Sequence, residues 1–267
     1  DGTTVIADNG NVTLEAVQVG NSTVTAETGN ITADGSVLDS TLTAAGDVTI
    51  QDAFYASNNM VVAGGVITMT DDIHNLVGGS YLADGAITVD ADLVASATFD
   101  SGATVTMTSA GNIELVDVKA NNGAALTSTS GGIDGTTVIA NSQNVTLNAA
   151  QIANSTITAE SGDVIFTGAD LYNLTVTSAG VIDGTVVVGN MVGGSYVATG
   201  DITFDAAAMI SSASFDGSAD VILETLTGNI ELVNVKANDN AMLTSAAIID
   251  GTTVIADNGN VTLEAVQ

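Results

Sequence analysis

The amino-acid sequence predicts an all-β protein, a parallel β-helix (β-solenoid) with about 19 residues and three short strands per coil. Two features of the sequence point to this class: an apolar residue that recurs at nearly constant spacing, and strict alternation in the segment that follows it. A third is the presence of 29 Gly with no Pro in 267 residues. Frequent Gly and β-branched residues disfavour helix interiors, and a Pro would delete a hydrogen bond from a strand paired on both sides.

The recurring apolar residue is the anchor of a Thr-Val-x-Ala segment, which predicts the first strand of each coil. Successive anchors lie 18 to 21 residues apart, so that each interval fits one coil. The residues predicted to face inward at this position are Val5, Val24, Leu42, Met60, Tyr81, Phe99, Val118, Val138, Ile157, Val176, Tyr196, Phe215, Val235 and Val254.

The second strand of each coil alternates apolar and hydroxyl residues, the pattern of a strand with one buried face. A third inward row would make the coil triangular. The second inward row comprises Val12, Ile31, Val48, Ile67, Ile87, Val105, Leu126, Val145, Ile202, Leu243 and Val261, each followed by an outward Thr. The third row comprises Val17, Val37, Phe54, Ile73 and Leu93.

A Gly recurs between the first and second strands, where we expect a corner with positive φ, a conformation that Gly adopts most readily. Asn144 and Asn240 would take this role in the coils that lack the Gly. The predicted corner glycines are Gly10, Gly29, Gly46, Gly64, Gly85, Gly102, Gly123, Gly162, Gly180, Gly200, Gly217 and Gly259.

A longer repeat is superimposed on the coils. Residues 1–18 recur without change as residues 250–267. This repeat divides into a seven-coil half, residues 1–133, and a six-coil half, residues 134–249, and residues 250–267 would begin the next repeat. We therefore expect one continuous solenoid that is part of a longer array.

The charge of the chain excludes several classes of partner. There are 31 acidic residues and only two basic ones, Lys119 and Lys236, with a formal net charge of −29. Nucleic acid requires a basic footprint, and an anionic membrane surface would repel this chain. No apolar run is long enough to insert in a membrane. The two lysines occupy equivalent positions of the two halves, which indicates a local salt bridge or a contact between rods.

Five acidic residues follow the second strand in five successive coils and would stack in one column. Neighbouring carboxylates about 4.8 Å apart repel one another, and Ca²⁺ or another divalent cation would relieve that repulsion. The alternative is a solvated acidic face without an ion, so no cofactor is certain. The candidate metal ligands are Glu15, Asp34, Asp52, Asp71 and Asp90.

Four aromatic residues stand at anchor positions in adjacent coils, Tyr81 with Phe99 and Tyr196 with Phe215. We expect each pair to stack inside the coil, which adds to the free energy of burial. The alternative is an exposed platform for sugar rings.

The segments Gly-Asn-Ile-Thr (residues 29–32), Gly-Asp-Val-Thr (46–49), Gly-Asp-Ile-Thr (200–203) and Gly-Asn-Val-Thr (259–262) recur with the coil period. In these motifs the chain resembles the filamentous-haemagglutinin-like adhesins. That resemblance implies a right-handed parallel β-helix, export across a bacterial envelope, and display as an extracellular or cell-surface fibre.

The function predicted from these features is that of an extracellular structural filament or adhesin stalk, whose partners are further copies of itself in tandem or side by side. One alternative is an adhesin module that binds a cell-surface or glycan ligand. A carbohydrate-active β-helix enzyme is a remote alternative, because lyases of that type commonly use Arg or Lys and this chain has no Arg. Catalysis is therefore not expected.

Overall fold

The computed structural model describes residues 1–266, and within that range the side chains of residues 186–188 are not described. The described residues form β-strands joined by short turns, and they contain no helix. Two compact units divide the chain, Asp1–Gly131 and Gly132–Gln267. Both units are β-solenoids, which confirms the predicted all-β parallel fold.

Unit 1 consists of seven coils. Its strands are β1 (Thr4–Ala7), β2 (Val12–Gly20), β3 (Thr23–Ala26), β4 (Ile31–Leu38), β5 (Thr41–Ala44), β6 (Val48–Gln51), β7 (Tyr55–Ser57), β8 (Met60–Ala63), β9 (Ile67–Val77), β10 (Ser80–Ala83), β11 (Ile87–Ala95), β12 (Thr98–Ser101), β13 (Val105–Ser109), β14 (Ile113–Glu114), β15 (Asp117–Ala120) and β16 (Ala124–Ser128). In four coils the second and third strands run on as one long strand, namely β2, β4, β9 and β11.

Unit 2 repeats the same arrangement. Its strands are β17 (Gly132–Asp134), β18 (Thr137–Ala140), β19 (Val145–Asn148), β20 (Gln151–Ala153), β21 (Thr156–Ala159), β22 (Val164–Thr167), β23 (Asp170–Tyr172), β24 (Thr175–Ser178), β25 (Ile182–Val192), β26 (Ser195–Ala198), β27 (Ile202–Ser211), β28 (Ser214–Gly217), β29 (Val221–Thr225), β30 (Ile230–Glu231), β31 (Asn234–Ala237), β32 (Ala241–Ser245), β33 (Ile249–Asp250), β34 (Thr253–Ala256) and β35 (Val261–Ala265).

Within each unit the strands of one coil pair in parallel with those of the next. In unit 1 the first strands stack in the order β1, β3, β5, β8, β10, β12 and β15. The register places Val24 opposite Val5, and Tyr81 opposite Phe99. The first strands of unit 2, β18, β21, β24, β26, β28, β31 and β34, pair in the same way. The anchor spacing in the sequence is therefore the number of residues in one coil.

The predicted inward anchors are confirmed with one correction. Met60 is 51% exposed, whereas Val61 is fully buried and lies opposite both Leu42 and Tyr81. Strand β8 reads Met-Val-Val-Ala, and its Met takes the outward position that Thr holds in most first strands. The prediction was one residue out of phase because Met is apolar. Val5 and Val254, in the first and last coils, are half-buried.

The second inward row is confirmed for ten of its eleven residues, which are buried. The exception is Val261 in the last coil, which is 47% exposed. The threonines that follow these residues are exposed or half-buried, and they form an unbroken outward row from Thr13 to Thr106 in the strand register of unit 1.

Of the five residues predicted for the third inward row, only Val37 lies in the observed row. Ile73 faces inward as predicted, but Leu76 holds the third-row position of its coil. Val17 and Phe54 are exposed, and Leu93 is only half-buried, whereas Val37 and Ile73 are buried. The segment between the second and third strands varies in length, so that alternation counted from the second strand loses phase there. The observed third row contains Val37, Ala56, Leu76, Val94 and Ile113 in unit 1, and Ile133, Ile152, Leu171, Met191, Ile210 and Ile230 in unit 2.

A left-handed corner joins the third strand of each coil to the next first strand, two residues after the third-row residue. Every coil has one such residue with φ between 48° and 72°. Gly, Asn and Asp tolerate this conformation better than other residues, and most of the corners carry one of them. These residues are Gly2, Asn21, Asp39, Asn58, Gly78, Ser96 and Leu115 in unit 1, and Gly135, Asn154, Asn173, Gly193, Ser212, Leu232 and Gly251 in unit 2.

The glycines between the first and second strands have a different role from the predicted one. Only Gly10 among them has positive φ, and Asn144 and Asn240 do not have it either. Close stacking requires most of the others: a Cβ added at Gly29 would lie 2.2 Å from the carbonyl oxygen of Gly10, and one at Gly102 would lie 2.2 Å from that of Asp84. A side chain at these positions would push neighbouring coils apart.

Buried polar side chains continue the hydrogen bonding between coils at the left-handed corner. The Ser22 amide donates to Ser40 Oγ (3.1 Å), and the Ser40 amide donates to Asn59 Oδ1 (3.1 Å). Asn59 Nδ2 donates to the carbonyl oxygen of Val37 (2.8 Å). Exposed side chains also accept hydrogen bonds between coils at the corner between the first and second strands. There the Asn30 amide donates to Asn11 Oδ1 (3.0 Å).

Candidate functional site

The strand register does not assemble the five candidate metal ligands into one column. Glu15 lies opposite Asp34, but Asp34 is followed in the next coil by Gln51. Asp52 comes one residue later, at φ 50°, and its amide donates to the carbonyl oxygen of Asp71 (2.7 Å). The expected single column was therefore wrong: the register brings only one pair of these carboxylates into opposition.

The other two predicted ligands are separated by an irregularity in β9. Asp71 and Asp72 both have positive φ, 61° and 63°. The register between β9 and β11 shifts between Val89 and Ala91. Asp90 therefore has no in-register partner in β9, and on its other side it lies opposite Thr108.

Three of the predicted ligands nevertheless line one open groove in unit 1. The groove has a volume of about 570 Å³. Its lining consists of Glu15, Ala16, Val17, Asp34, Gly35, Ser36, Asp52 and Phe54. Among residues 1–266, no three His, Cys, Asp or Glu side chains are grouped closely enough to hold a metal ion. Calcium binding at these carboxylates stays a prediction.

An exposed aromatic cluster, formed by Phe54, Tyr55 and His74, adjoins this groove. The rings of Phe54 and Tyr55 meet edge to face with centroids 4.7 Å apart, and the His74 ring stacks on Phe54 at 4.9 Å. Phe54 and Tyr55 are both about half exposed. The sequence prediction placed Phe54 in the core, so the cluster was missed. The sequence signal for the cluster is the adjacent pair of Phe54 and Tyr55, since two successive strand residues cannot both face inward.

The four anchor aromatics form two buried stacks, as predicted. Tyr81 stacks on Phe99 with ring centroids 5.0 Å apart and an interplanar angle of 13°, and Tyr196 stacks on Phe215 at 5.2 Å and 14°. The hydroxyls of both tyrosines are buried and have no hydrogen-bond partner among the described residues. Burial raises the pKa of both phenols. These rings cannot reach a sugar.

Two ionisable groups of unit 2 are perturbed by their neighbours. Partial burial raises the pKa of Asp205, and the charge of Asp183 adds to the effect. Partial burial also raises the pKa of Tyr172, and the Asp170 carboxylate adds to it. The Tyr172 hydroxyl donates to Asp170 Oδ2 at 3.4 Å.

Both lysines form the predicted local salt bridge with an Asp on the neighbouring first strand. Lys119 Nζ lies 4.0 Å from Asp100 Oδ2, and Lys236 Nζ lies 3.7 Å from Asp216 Oδ1. All four side chains are about half exposed. Exposed ion pairs stabilise a fold by at most about 1 kcal/mol, so stability alone does not explain why both halves carry one.

Comparison with protein-family models, with curated proteins and with solved structures found no match to this chain. The part of the chain that the structure describes contains no helix long and apolar enough to cross a membrane. The resemblance to filamentous-haemagglutinin-like adhesins therefore depends on the repeated motifs and on the β-solenoid fold.

Proposed function

We propose that this protein is a segment of an extracellular structural filament or adhesin stalk at a bacterial cell surface. The observation that carries the proposal is the repetition of each structural device from coil to coil. Three inward apolar rows, a left-handed corner and hydrogen bonds between neighbouring coils recur in both units. The stability of such an array is a sum of similar nearest-neighbour terms, and length is gained by adding coils.

The small number of basic residues and their position in paired strands support a location where the protein meets trypsin-like proteases. Lys119 and Lys236 are the only Lys or Arg residues in the chain, and they lie in strands β15 and β31. Lys236 is paired in register with Asp216 and with Ile255. A strand paired on both sides cannot enter the cleft of a trypsin-like protease without local unfolding.

The proposed stalk function is tested by measuring how the length of the protein changes with the number of repeats. Proteins built from one and from two copies of the 249-residue repeat should differ in length by about 62 Å, since thirteen coils rise about 4.8 Å each. Electron microscopy of the two purified proteins measures this difference. Antibody labelling of intact cells of the source organism tests the location. Equal lengths, or labelling only after lysis, would contradict the proposal.

A ligand-binding adhesin is the second candidate, and the exposed aromatic cluster favours it. Phe54 and Tyr55 are about half exposed, and Phe54 lines a groove that also holds three carboxylates. Aromatic rings of this kind bind sugars or cationic groups. Saturable binding to host cells or glycans should fall on Phe54→Ala and Tyr55→Ala. Met60→Ala, which removes an exposed apolar side chain elsewhere on unit 1, is the matched control.

A further inference from the structure

The outward surface of the first strands, here called the first-strand face, is almost uncharged in both units. In unit 2 the seven first strands carry one acid, Asp216, and one base, Lys236, which gives a net charge of zero. In unit 1 they carry Asp100, Asp117 and Lys119, a net charge of −1. The whole chain has a net charge of −29, so nearly all of its negative charge lies on other surfaces.

The first-strand face of unit 2 presents two straight rows of side chains. One row is hydroxyl- and amide-bearing: Thr137, Thr156, Thr175, Ser195, Ser214, Asn234 and Thr253. The other row is Ile139, Thr158, Thr177, Val197, Asp216, Lys236 and Ile255. Val197 and Ile255 are 42% and 49% exposed, one coil to either side of the ion pair.

We infer that the first-strand face of unit 2 is the surface through which a second copy of this chain docks, face to face and antiparallel. The order of its side chains is self-complementary about a two-fold axis between Asp216 and Lys236, as an isologous interface requires. That axis places Asp216 opposite the partner's Lys236, and Val197 opposite the partner's Ile255. In the neighbouring row Ser214 meets the partner's Asn234.

Charge decides in favour of a second copy over other partners. A cationic partner would be drawn to the strongly acidic surfaces rather than to this one, and an anionic partner would be repelled by them. Two copies of a chain with a net charge of −29 can approach at lowest electrostatic cost where the surface is neutral and each copy brings both an acid and a base. Both lysines of the chain lie on this kind of surface.

The size of the face predicts a weak association. The two-fold axis between β28 and β31 overlaps four first strands of each copy, β26, β28, β31 and β34. Four strands spaced about 4.8 Å apart and four residues wide cover roughly 250 Å², so that the docked pair would bury about 500 Å², well below the range of stable complexes. The first-strand face of unit 1 carries the equivalent pair, Asp100 and Lys119.

This inference rests on the proposed structural role, since it assigns the surface by which filaments would associate side by side. The docking inference and the proposed stalk function can fail separately. A chain that stays monomeric in solution leaves the gain in length per repeat untouched. A protein whose length does not grow with added repeats would overturn the stalk and leave the docking measurement valid.

The test is sedimentation velocity of the full chain at increasing concentration, in about 0.5 M salt, where repulsion between distant charges is screened. Lys236→Asp would place like charges opposite each other in the docked pair and should weaken dimerisation about tenfold or more. The double swap Asp216→Lys with Lys236→Asp restores complementarity and should restore dimerisation. Thr203→Asp with Met242→Asp adds the same two negative charges outside the first-strand face and should have little effect.

Cysteine crosslinking supplies a second measurement, because the chain contains no Cys. Asn234→Cys should give crosslinked dimers with a short bifunctional thiol reagent, and Met242→Cys should not. Dimers that respond to the charge swap and crosslink through position 234 support the inference. A chain that stays monomeric at all concentrations, dimers unaffected by Lys236→Asp, or equal crosslinking from both cysteines would each overturn it.

Discussion

Gly194 lies against the ring of Tyr196, so closely that a Cβ added at Gly194 would be 3.1 Å from Tyr196 Cε2. The φ of Gly194 is 102°, which side chains rarely permit. The same relationship holds in unit 1, where a Cβ at Gly79 would lie 3.2 Å from Tyr81 Cε2. The repeated Val-Gly-Gly-Ser-Tyr segment therefore combines a left-handed corner, a Gly that leaves room for the ring, and the ring itself.

Gly194→Ala should destabilise unit 2 by at least about 2 kcal/mol, because it adds backbone strain to a collision with Leu174 and the Tyr196 ring. The measurement is the urea midpoint followed by circular dichroism. Gly168→Ala is the matched control: Gly168 also has positive φ, 65°, but no atom lies within 4 Å of an added Cβ. Gly168→Ala should lower the free energy of unfolding by only about 1 kcal/mol. Equal costs would show that the ring contact contributes nothing.

Tyr196→Phe should stabilise the protein by about 1 kcal/mol, because it removes a buried hydroxyl that has no hydrogen-bond partner within the described part of the chain and keeps the stacked ring. Tyr81→Phe should stabilise the protein by a similar amount, because the Tyr81 hydroxyl is also buried and has no hydrogen-bond partner among the described residues. Urea midpoints at pH 7 measure both changes. A loss of stability on Tyr196→Phe would indicate that the hydroxyl is hydrogen-bonded in solution.

Alkaline pH should destabilise the fold through the same two phenols. Burial raises the pKa of Tyr81 and Tyr196 above the ordinary value of about 10. Above that pH the unfolded chain releases both protons while the folded chain retains them, so the free energy of unfolding falls as pH rises. The decline between pH 9 and pH 11 should be smaller in the Tyr81→Phe/Tyr196→Phe double variant. Tyrosinate absorbance should show two tyrosines that ionise only on unfolding.

The parallel stack could be predicted from the sequence because each inward position must exclude water in every coil, which imprints a regular apolar period. The third inward row could not be predicted in this way, because the segment that precedes it changes length from coil to coil. Asp71 and Asp72, both left-handed, are one such insertion within β9. Counting back two residues from the corner at Gly78 gives Leu76, the buried third-row residue that forward counting missed.

The predicted column of carboxylates was wrong for a similar reason, since sequence spacing did not give the strand register. Asp34 and Asp52 are 18 residues apart, which fits the coil period, yet Gln51 is the residue that stands opposite Asp34. Asp52 lies beyond the end of β6, at a left-handed residue. Spacing alone cannot distinguish a residue on a strand from one that has just left it. The net charge of the whole chain conceals the nearly neutral first-strand face, because the few charges on the first strands almost cancel and most acids lie on other strands and turns.

Leu232→Asn should stabilise unit 2 by about 1 kcal/mol. Leu232 occupies a left-handed corner, φ 53°, with its side chain 62% exposed, whereas most corners of this type carry Gly, Asn or Asp. Asn tolerates this backbone better than Leu, and little apolar burial is lost. The expected rise in Tm is about 2 to 4 °C. Ile255→Asn, a change of similar size in the middle of a strand, is the control and should not stabilise. A lower Tm for Leu232→Asn would show that contacts of the Leu side chain outweigh the strain.

The effect of Asp34→Asn on the free energy of unfolding, with and without Ca²⁺, distinguishes a calcium site in the acidic groove from a solvated acidic surface. Glu15 and Asp34 are directly opposite each other on neighbouring strands, and like charges so placed destabilise a sheet. In the presence of a chelator, Asp34→Asn should therefore raise the free energy of unfolding by about 0.5 kcal/mol. The predicted calcium site requires that added Ca²⁺ stabilise the unsubstituted protein more than the variant, so that the advantage of the variant falls as Ca²⁺ is added.

Thermal unfolding with chelator and with millimolar Ca²⁺ measures that difference, and Asp220→Asn is the matched control. Asp220 is half-buried, as Asp34 is, but its Oδ1 accepts the amide of Asn240 (2.7 Å), so removal of the Asp220 carboxylate should destabilise the protein in both conditions. A Ca²⁺ response of Asp34→Asn equal to that of the unsubstituted protein would exclude Asp34 as a ligand. The groove would then be a solvated acidic surface, the alternative that the sequence left open.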